Sequence, residues 1–162
     1  MEKVPFTEKG LDRVKKEMLN LKSVERPSVI KAIAEARLHG DLSENAEYHA
    51  AREKQSFIEG RLIELESVTS RAEVIDLSRV KGDRVTFGTS VMLLNEETDE
   101  EKKFHIVGPY EADLESGKIS TSSPIAKAII GKTTGESAEV SAPGGSKSYE
   151  ITEISIIDQK IL

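Results

Sequence analysis

Apolar residues recur at helical spacing through the first half of the chain. One such residue appears every three or four positions in residues 11–21, and the same spacing returns in residues 57–68. This period places apolar side chains along one side of an α-helix. We therefore predict two helices, at about residues 8–38 and 43–73, whose apolar faces pack together.

The segment between the predicted helices reads H-G-D-L-S-E and predicts a sharp turn. Gly40 permits the left-handed backbone that ends many helices, and Asp41 with Glu44 three residues later is the pattern of a capping box. So short a connection makes the helices antiparallel, as a hairpin about 45 Å long. Because Pro27 lacks a backbone N–H, we also expect a kink or a break at residues 23–27.

The second half alternates apolar and polar residues instead, starting near residues 77–83. Alternation is typical of strands with one buried face, and it predicts a first strand at residues 85–93. A charged loop at residues 95–103 then leads to a return strand at 104–107. Further strands are expected at 119–123, 139–141 and 148–157, with one short helix at 125–130 that Pro124 opens.

The predicted fold class is α+β. Residues 1–77 form an N-terminal antiparallel two-helix coiled-coil hairpin, and residues 78–162 form a small antiparallel sheet domain with one short helix. Helical and alternating patterns that occupy separate halves of a chain favour this arrangement over alternating βαβ units.

Composition limits the chemistry of the chain. It has 162 residues, no cysteine and a formal net charge of −6. The lack of cysteine excludes disulfides, thiolate zinc sites and a cysteine nucleophile. An acidic protein repels phosphates, so a role with nucleic acid must be local or must depend on a partner. No signal peptide or membrane span is expected, and a cytoplasmic location fits this composition.

Asp41 and Glu44 allow two interpretations. As a capping box they only stabilise the second helix. As exposed carboxylates at the end of a hairpin they offer hard oxygen ligands for Mg²⁺, but two carboxylates alone are at best half of a magnesium site. The pattern alone leaves both interpretations open.

Other candidate motifs are weaker. Arg37 and Arg52 form either a basic patch near the turn or ion pairs with neighbouring glutamates. Residues 126–133 approach a phosphate-binding loop, but Ala126 replaces its first glycine and Gly131 is a better helix stop. No zinc or serine-hydrolase motif is present, which argues against a self-contained hydrolase.

Residues 37–52, R-L-H-G-D-L-S-E-N-A-E-Y-H-A-A-R, resemble the hairpin tip of the Gre family of bacterial transcript-cleavage factors. The resemblance continues through residues 26–36 and 53–61, and again at 122–132, S-S-P-I-A-K-A-I-I-G-K. It covers nearly the full chain and lies nearer to the GreA branch than to the GreB branch, because no large basic cluster is present.

The resemblance implies a second domain similar to the FKBP fold, and a monomeric factor that binds RNA polymerase and inserts the coiled coil into its secondary channel. It assigns Asp41 and Glu44 to a Mg²⁺ ion shared with the polymerase active centre, where backtracked RNA is cleaved. Arg37 and Arg52 would contact the 3′ end of the nascent RNA. The factor would be no enzyme alone, and would hold no cofactor of its own.

The same resemblance makes Ser123 and Pro124, and less strongly Asp113, candidates for contacting the polymerase, although a helix start packed on a sheet explains the motif equally well. Two other functions stay open. A prolyl isomerase or chaperone would need an apolar aromatic pocket, for which the second half offers few rings. An inhibitory relative would fill the channel without aiding cleavage, which the acidic pair Asp41 and Glu44 argues against.

Overall fold

The computed structural model of the protein describes residues 2–162 and divides into two units. Asp12–Arg71 form the helical unit, and Ala72–Leu162 form the sheet unit together with the residues up to Leu11. The sequence predicted a boundary between residues 77 and 78. It did not predict that the residues up to Leu11 belong to the same unit as the second half of the chain.

A pair of short strands accounts for this grouping. β1 (Val4–Phe6) runs parallel to β2 (Ala72–Val74), with Phe6 opposite Val74. The Phe6 side chain is fully buried, and its carbonyl accepts a hydrogen bond from the backbone N–H of Ile75 at 2.8 Å. The buried ring and the backbone bonds together hold the first strand in the sheet unit.

The helical unit confirms the predicted hairpin. Its helices are α1 (Glu8–Asn20), α2 (Arg26–Arg37) and α3 (Ala46–Ser70). A π-helical segment, Leu21–Glu25, joins the first two helices without a break. The second arm of the hairpin is α3. It starts at Ala46, where the sequence predicted about residue 43, and it ends at Ser70, where the sequence predicted about residue 73.

A π-helical segment, and not a break, lies where the kink or break near Pro27 was predicted. Arg26 donates its backbone N–H to the carbonyl of Leu21, five residues back. Pro27 follows directly, in the first turn of α2, where the backbone N–H that a proline lacks would otherwise bond to the preceding helical turn. The wider π turn thus lets the helix pass a proline without a break.

Both arms of the hairpin bury an apolar stripe. In α2 the buried side chains are Val29, Ile33 and Ala36, and in α3 they are Ala51, Ile58, Leu62, Leu65 and Val68. Ion pairs flank this seam and join the two arms. Arg26 Nε lies 2.7 Å from Glu59 Oε1, and Arg61 Nε lies 2.8 Å from Glu17 Oε1.

The sheet unit holds a five-stranded sheet in the order β5-β4-β3-β7-β6. Its strands are β3 (Thr89–Asn95), β4 (Glu101–Val107), β5 (Lys118–Ser120), β6 (Ser137–Ala142) and β7 (Gly145–Ile156). All neighbouring pairs are antiparallel except β4 and β5, which are parallel. The sheet is therefore mixed, and the expectation of a purely antiparallel one was wrong at this edge.

The first strand of this sheet begins at Thr89 rather than at residue 85. Val85 is fully buried, but its backbone N–H donates to Lys132 O at 2.9 Å instead of to a neighbouring strand. A turn follows, in which the Thr89 hydroxyl donates to Thr86 O at 2.7 Å. The apolar alternation thus starts before the strand does, because buried loop residues follow the same pattern.

The short helix α4 (Pro124–Ile129) packs against β6 and buries Ala126 and Ile129 in the core of the sheet unit. Ser123 is its N-cap and accepts a hydrogen bond from Ala126 N at 3.2 Å. Gly131 follows with a positive φ of 89°, which confirms it as a helix stop. Within residues 2–162, no helix is long and apolar enough to cross a membrane.

Candidate functional site in the hairpin loop

Residues 38–45 connect α2 to α3, and Asn45 joins the two helix ends. Its side-chain Oδ1 accepts a hydrogen bond from Tyr48 N at 3.0 Å, which makes Asn45 the N-cap of α3. Its Nδ2 donates to Ala36 O in the last turn of α2, at 2.7 Å. One side chain therefore satisfies a free N–H of one helix and a terminal carbonyl of the other.

The capping box predicted for Asp41 and Glu44 is wrong. Asp41 instead accepts two hydrogen bonds within the loop, from Ser43 N at 3.0 Å and from the Ser43 hydroxyl at 2.9 Å. Asn45 takes the capping role because it directly precedes the first helical residue. The acidic pair is thus not needed to cap α3, although Asp41 Oδ1 holds the turn with Ser43.

Asp41 is exposed and ionised. The backbone N–H of Ser43, and then its hydroxyl, hold the pKa of the Asp41 carboxyl below its ordinary value. Both hydrogen bonds go to Oδ1. Oδ2 consequently points to no donor within residues 2–162 and is available to a ligand.

Glu44 is also exposed, and it lies in the same turn. Its backbone N–H reaches Asp41 O at 3.4 Å. Its side chain makes no hydrogen bond or ion pair with any residue that the structure describes. The loop therefore presents two carboxylates close together in the chain, and neither is used to hold a helix.

Arg37 and Arg52 lie on either side of this loop, at the end of α2 and in the second turn of α3. The Arg37 guanidinium sits 6.0 Å from the centre of the Tyr48 ring, and Arg52 donates to Gln55 Oε1 at 3.3 Å. No ion pair of either arginine is present in the described part of the chain. Lys54, by contrast, pairs with Glu25 at 3.3 Å. The two arginines thus remain available as cations.

Sequence reasoning missed three supporting residues of the loop, namely Ser43, Asn45 and Tyr48. His49 adds a further tie, because its Nε2 lies 3.2 Å from Ser43 O. Two signals could have identified Ser43 and Asn45. Asparagine is a strong N-cap residue, and an aspartate two residues before a serine favours a local side-chain turn.

The candidate polymerase contacts lie elsewhere, in the sheet unit. Asp113 and Ser123 occupy opposite ends of β5, so the structure does not bring them to one point. Asp113 accepts from the Ser116 hydroxyl at 2.8 Å, which lowers the pKa of its carboxyl. Pro124 is exposed in the first turn of α4. Asp113 and Ser123 both hold local turns, and Pro124 has no such task.

One groove of the sheet unit, of about 570 Å³, lies along residues 75–87. None of the candidate site residues lines it. Its lining includes one aromatic ring, that of Phe87, and four charged side chains. An apolar substrate such as a prolyl peptide requires a drier and more aromatic pocket, so this groove gives the isomerase hypothesis no support.

The donor set of the hairpin loop suits a hard cation but does not complete a site. Asp41 and Glu44 offer anionic oxygens, which Mg²⁺ prefers. Among residues 2–162, no group of three or more His, Cys, Asp or Glu side chains is placed to hold a metal ion. A magnesium ion at this loop would need further ligands from a second molecule.

A helical hairpin with an acidic loop is followed in the chain by a small mixed sheet, and a family model matches each of these two parts. Residues 4–74 match the family model for the N-terminal part of transcription elongation factors, and residues 80–156 match that for the GreA/GreB C-terminal part. The chain belongs to the GreA/GreB family of transcription elongation factors.

Two relatives that are themselves named GreA agree with this assignment. The chain is 63% identical over 154 residues to transcription elongation factor GreA of Rhodospirillum rubrum, covering 95% of this chain and 98% of the relative. It is 56% identical over 154 residues to GreA of Phenylobacterium zucineum, with the same shares covered. The solved GreA factor homolog 1 of Thermus thermophilus aligns at 25% identity with a TM-score of 0.44, covering 95% of this chain and 99% of that one.

Proposed function

We propose that this factor binds RNA polymerase, inserts its helical hairpin into the secondary channel and stimulates the polymerase to cleave backtracked RNA. The observation that carries the proposal is the state of Asp41 and Glu44. Both are exposed on the loop between the helices, and Asn45 performs the capping that would otherwise explain them. Asp41 Oδ2 and the Glu44 carboxylate accept no hydrogen bond from the described residues, and exposed anionic oxygens at such a position are suited to bind a group of a partner.

Asp41 and Glu44 would hold the magnesium ion together with ligands from the polymerase. The chemistry that the bound ion supplies is the activation of water and the neutralisation of phosphate charge. The chain's own contribution is to keep Asp41 ionised and oriented, through the two Ser43 bonds to its Oδ1. The factor completes a site rather than carrying one, and it has no cleavage activity alone.

Arg37 and Arg52 would contact the 3′ end of the nascent RNA. They are unpaired cations beside the acidic loop, in a chain whose net charge is −6. Guanidinium groups bind phosphate with paired hydrogen bonds, and single-stranded RNA binding depends on such charges. Docking of the sheet unit on the polymerase would use Ser123 and Pro124, with Asp113 as a weaker candidate.

An arrested elongation complex tests this proposal directly. Purified polymerase that has backtracked on a labelled transcript is mixed with the factor and Mg²⁺, and shortened, re-extendable RNA is measured. Asp41→Asn and Glu44→Gln should each slow cleavage by about tenfold or more, because an amide is a poor magnesium ligand. Circular dichroism should show unchanged helix content, since neither side chain caps α3.

Glu47→Gln is the matched control. Glu47 is an exposed acid in the first turn of α3, so the variant loses the same charge near the same loop. It should cleave as the unaltered chain does. Full activity in both Asp41→Asn and Glu44→Gln would contradict the magnesium role, whereas a factor that binds polymerase but never stimulates cleavage would be inhibitory.

A further inference from the structure

We infer that Asn45 is a positioning residue for the acidic loop, and that its amide nitrogen, not only its helix-capping oxygen, is needed for transcript cleavage. This inference rests on the proposed function. Asn45 itself touches neither RNA nor metal in this assignment. It acts through the loop of residues 38–45, whose two ends it ties together.

The two hydrogen bonds of Asn45 have different tasks. The bond from Tyr48 N to Oδ1, at 3.0 Å, caps α3 and stabilises that helix. The bond from Nδ2 to Ala36 O, at 2.7 Å, crosses from α3 to α2. Ala36 is buried, and its carbonyl also accepts from His39 N at 3.1 Å. The crossing bond thus fixes the distance that the loop must span.

Few side chains can perform both tasks. Aspartate has acceptors but no donor, and serine is too short to cap α3 and also reach Ala36 across the hairpin. Both are nevertheless good N-cap residues. Substitution by either should therefore preserve α3 and remove only the bond between the helices.

The position of the acidic pair depends on this bond because the only other ties of the loop to α2, among the described residues, are the backbone bonds of Leu38 N to Glu35 O and His39 N to Ala36 O, which precede the acidic pair. Asp41 is held by Ser43, and Ser43 O in turn lies 3.2 Å from His49 Nε2. The crossing bond from Asn45 is a side-chain tie from the start of α3 to α2. Without the bond from Asn45 to Ala36, the carboxylates of Asp41 and Glu44 would still be present and exposed, but their position relative to α2 would no longer be fixed.

The magnesium requirement of cleavage separates positioning from folding. Asn45→Asp and Asn45→Ser should both raise the Mg²⁺ concentration for half-maximal cleavage, by about tenfold, as is usual when a residue that orients metal ligands is lost. Asn45→Asp adds a negative charge, which by itself would favour the cation. A raised requirement in that variant therefore reports lost positioning. A general loss of fold would instead raise the concentration of factor required.

Asn20→Asp is the matched control, because Asn20 is an exposed asparagine in α1 whose side chain makes no capping hydrogen bond. It introduces the same charge and should leave the Mg²⁺ requirement unchanged. A second measurement needs no polymerase: amide hydrogen exchange at Ser43 should speed up severalfold in both Asn45 variants, while exchange in the middle of α3 stays as it was.

The outcomes separate this inference from the proposed function. If the unaltered factor does not stimulate cleavage, the proposed function fails. If it does, and either Asn45 variant shows an unchanged Mg²⁺ requirement and an unchanged Ser43 exchange rate, the positioning role is wrong. Loss of helix content in both variants would also overturn it, because it would reduce Asn45 to a simple helix cap.

Discussion

The carboxylate of Glu111 accepts hydrogen bonds from both the backbone N–H and the hydroxyl of Thr7, at 2.6 and 2.7 Å. Both residues are buried, and they are 104 positions apart in the chain. The Thr7 hydroxyl donates to Glu111 and accepts from Gly10 N at 3.1 Å, within the first turn of α1. One buried carboxylate thereby fastens the start of α1 to the loop after β4.

Gly10→Ala should destabilise this junction. A Cβ on Gly10 would lie 2.1 Å from Glu111 Cδ, so Glu111 would have to leave its place against Thr7. Overpacking of this kind costs about 1–3 kcal/mol of unfolding free energy. The backbone N–H of Ile75, which bonds to Phe6 O in the adjacent strand pair, should exchange faster by amide hydrogen exchange. Unchanged exchange there would contradict the tight contact.

Gly60→Ala should have the opposite effect and serves as the comparison. Gly60 lies inside α3 and is exposed, and apart from the nearby backbone of its own helix no described atom lies within 4 Å of the position that a Cβ would take. Alanine in an exposed helix interior is more stable than glycine by about 0.5–1 kcal/mol. Thermal unfolding followed by the helix signal should therefore shift upward. A downward shift would mean that the glycine serves a packing role which the structure does not show.

Acid should weaken the sheet unit through His105. This side chain is buried on β4, with Nδ1 2.6 Å from the Ser90 hydroxyl on β3. Burial lowers the pKa of His105 from its ordinary value of 6.5, and repulsion from Lys103 and Lys118 lowers it further. The unfolded chain therefore binds this proton more readily than the folded one. Stability is complete above pH 6.5 and falls as the pH drops through the folded pKa.

Unfolding by denaturant at several pH values between 5 and 7.5 measures this effect. His105→Gln should remove most of the decrease at acid pH, although it will also lower stability at neutral pH by altering a buried contact. His39→Gln is the control, because His39 is exposed in the hairpin loop. If the acid dependence survives in His105→Gln, another group must be responsible.

The helical hairpin could be predicted because its apolar stripe is long and regular. Ile58, Leu62, Leu65 and Val68 recur at steps of four and three residues and are buried as expected. Phe57, which the same stripe included, is 70% exposed. The irregularity at Pro27 was predictable for a local reason, namely a missing N–H. Features that depend only on neighbouring residues of one helix can therefore be predicted from the sequence.

Long-range pairing could not be predicted in the same way. The β1 strand is only three residues long and includes Pro5. Its partner, Ala72–Val74, comes after the whole hairpin in the sequence. No periodicity distinguishes a strand of that length. The parallel direction of β5 was missed for a related reason, since alternation indicates a strand but not its orientation.

The position of Asp41 and Glu44 between the two helices could be predicted from the sequence, but the contacts of the loop that carries them could not. The pattern of Asp41 and Glu44 fits a capping box as well as a cation site, and the sequence offers two N-cap candidates, Asp41 and Asn45, between which the structure decides in favour of Asn45. The second hydrogen bond of Asn45, to Ala36, depends on how closely the two arms approach. Such a distance is set by packing and is not encoded in any local motif.

Pro124→Ala should weaken polymerase binding without reducing stability. Pro124 is exposed in α4, whereas Ser123 caps that helix, so Ser123→Ala would lose about 0.5–2 kcal/mol of stability and confuse the two effects. Truncation of an interface residue that matters costs about 1 kcal/mol or more of binding free energy. Competition binding to polymerase measures the loss. Pro143→Ala, an exposed proline in the turn between β6 and β7, should bind normally, and equal affinities of the two variants would exclude Pro124 from the interface.

Arg37→Gln and Arg52→Gln should reduce the salt dependence of factor action on arrested complexes. Each arginine that neutralises a phosphate of single-stranded RNA contributes about 0.7 to the slope of log affinity against log salt concentration. The slope, taken from the factor concentration for half-maximal cleavage at several salt concentrations, should therefore fall by about that amount in each variant. Lys54→Gln is the control, because Lys54 is already paired with Glu25 at 3.3 Å. An equal change in slope for Lys54→Gln would mean that general charge, rather than contact with the RNA 3′ end, accounts for the effect.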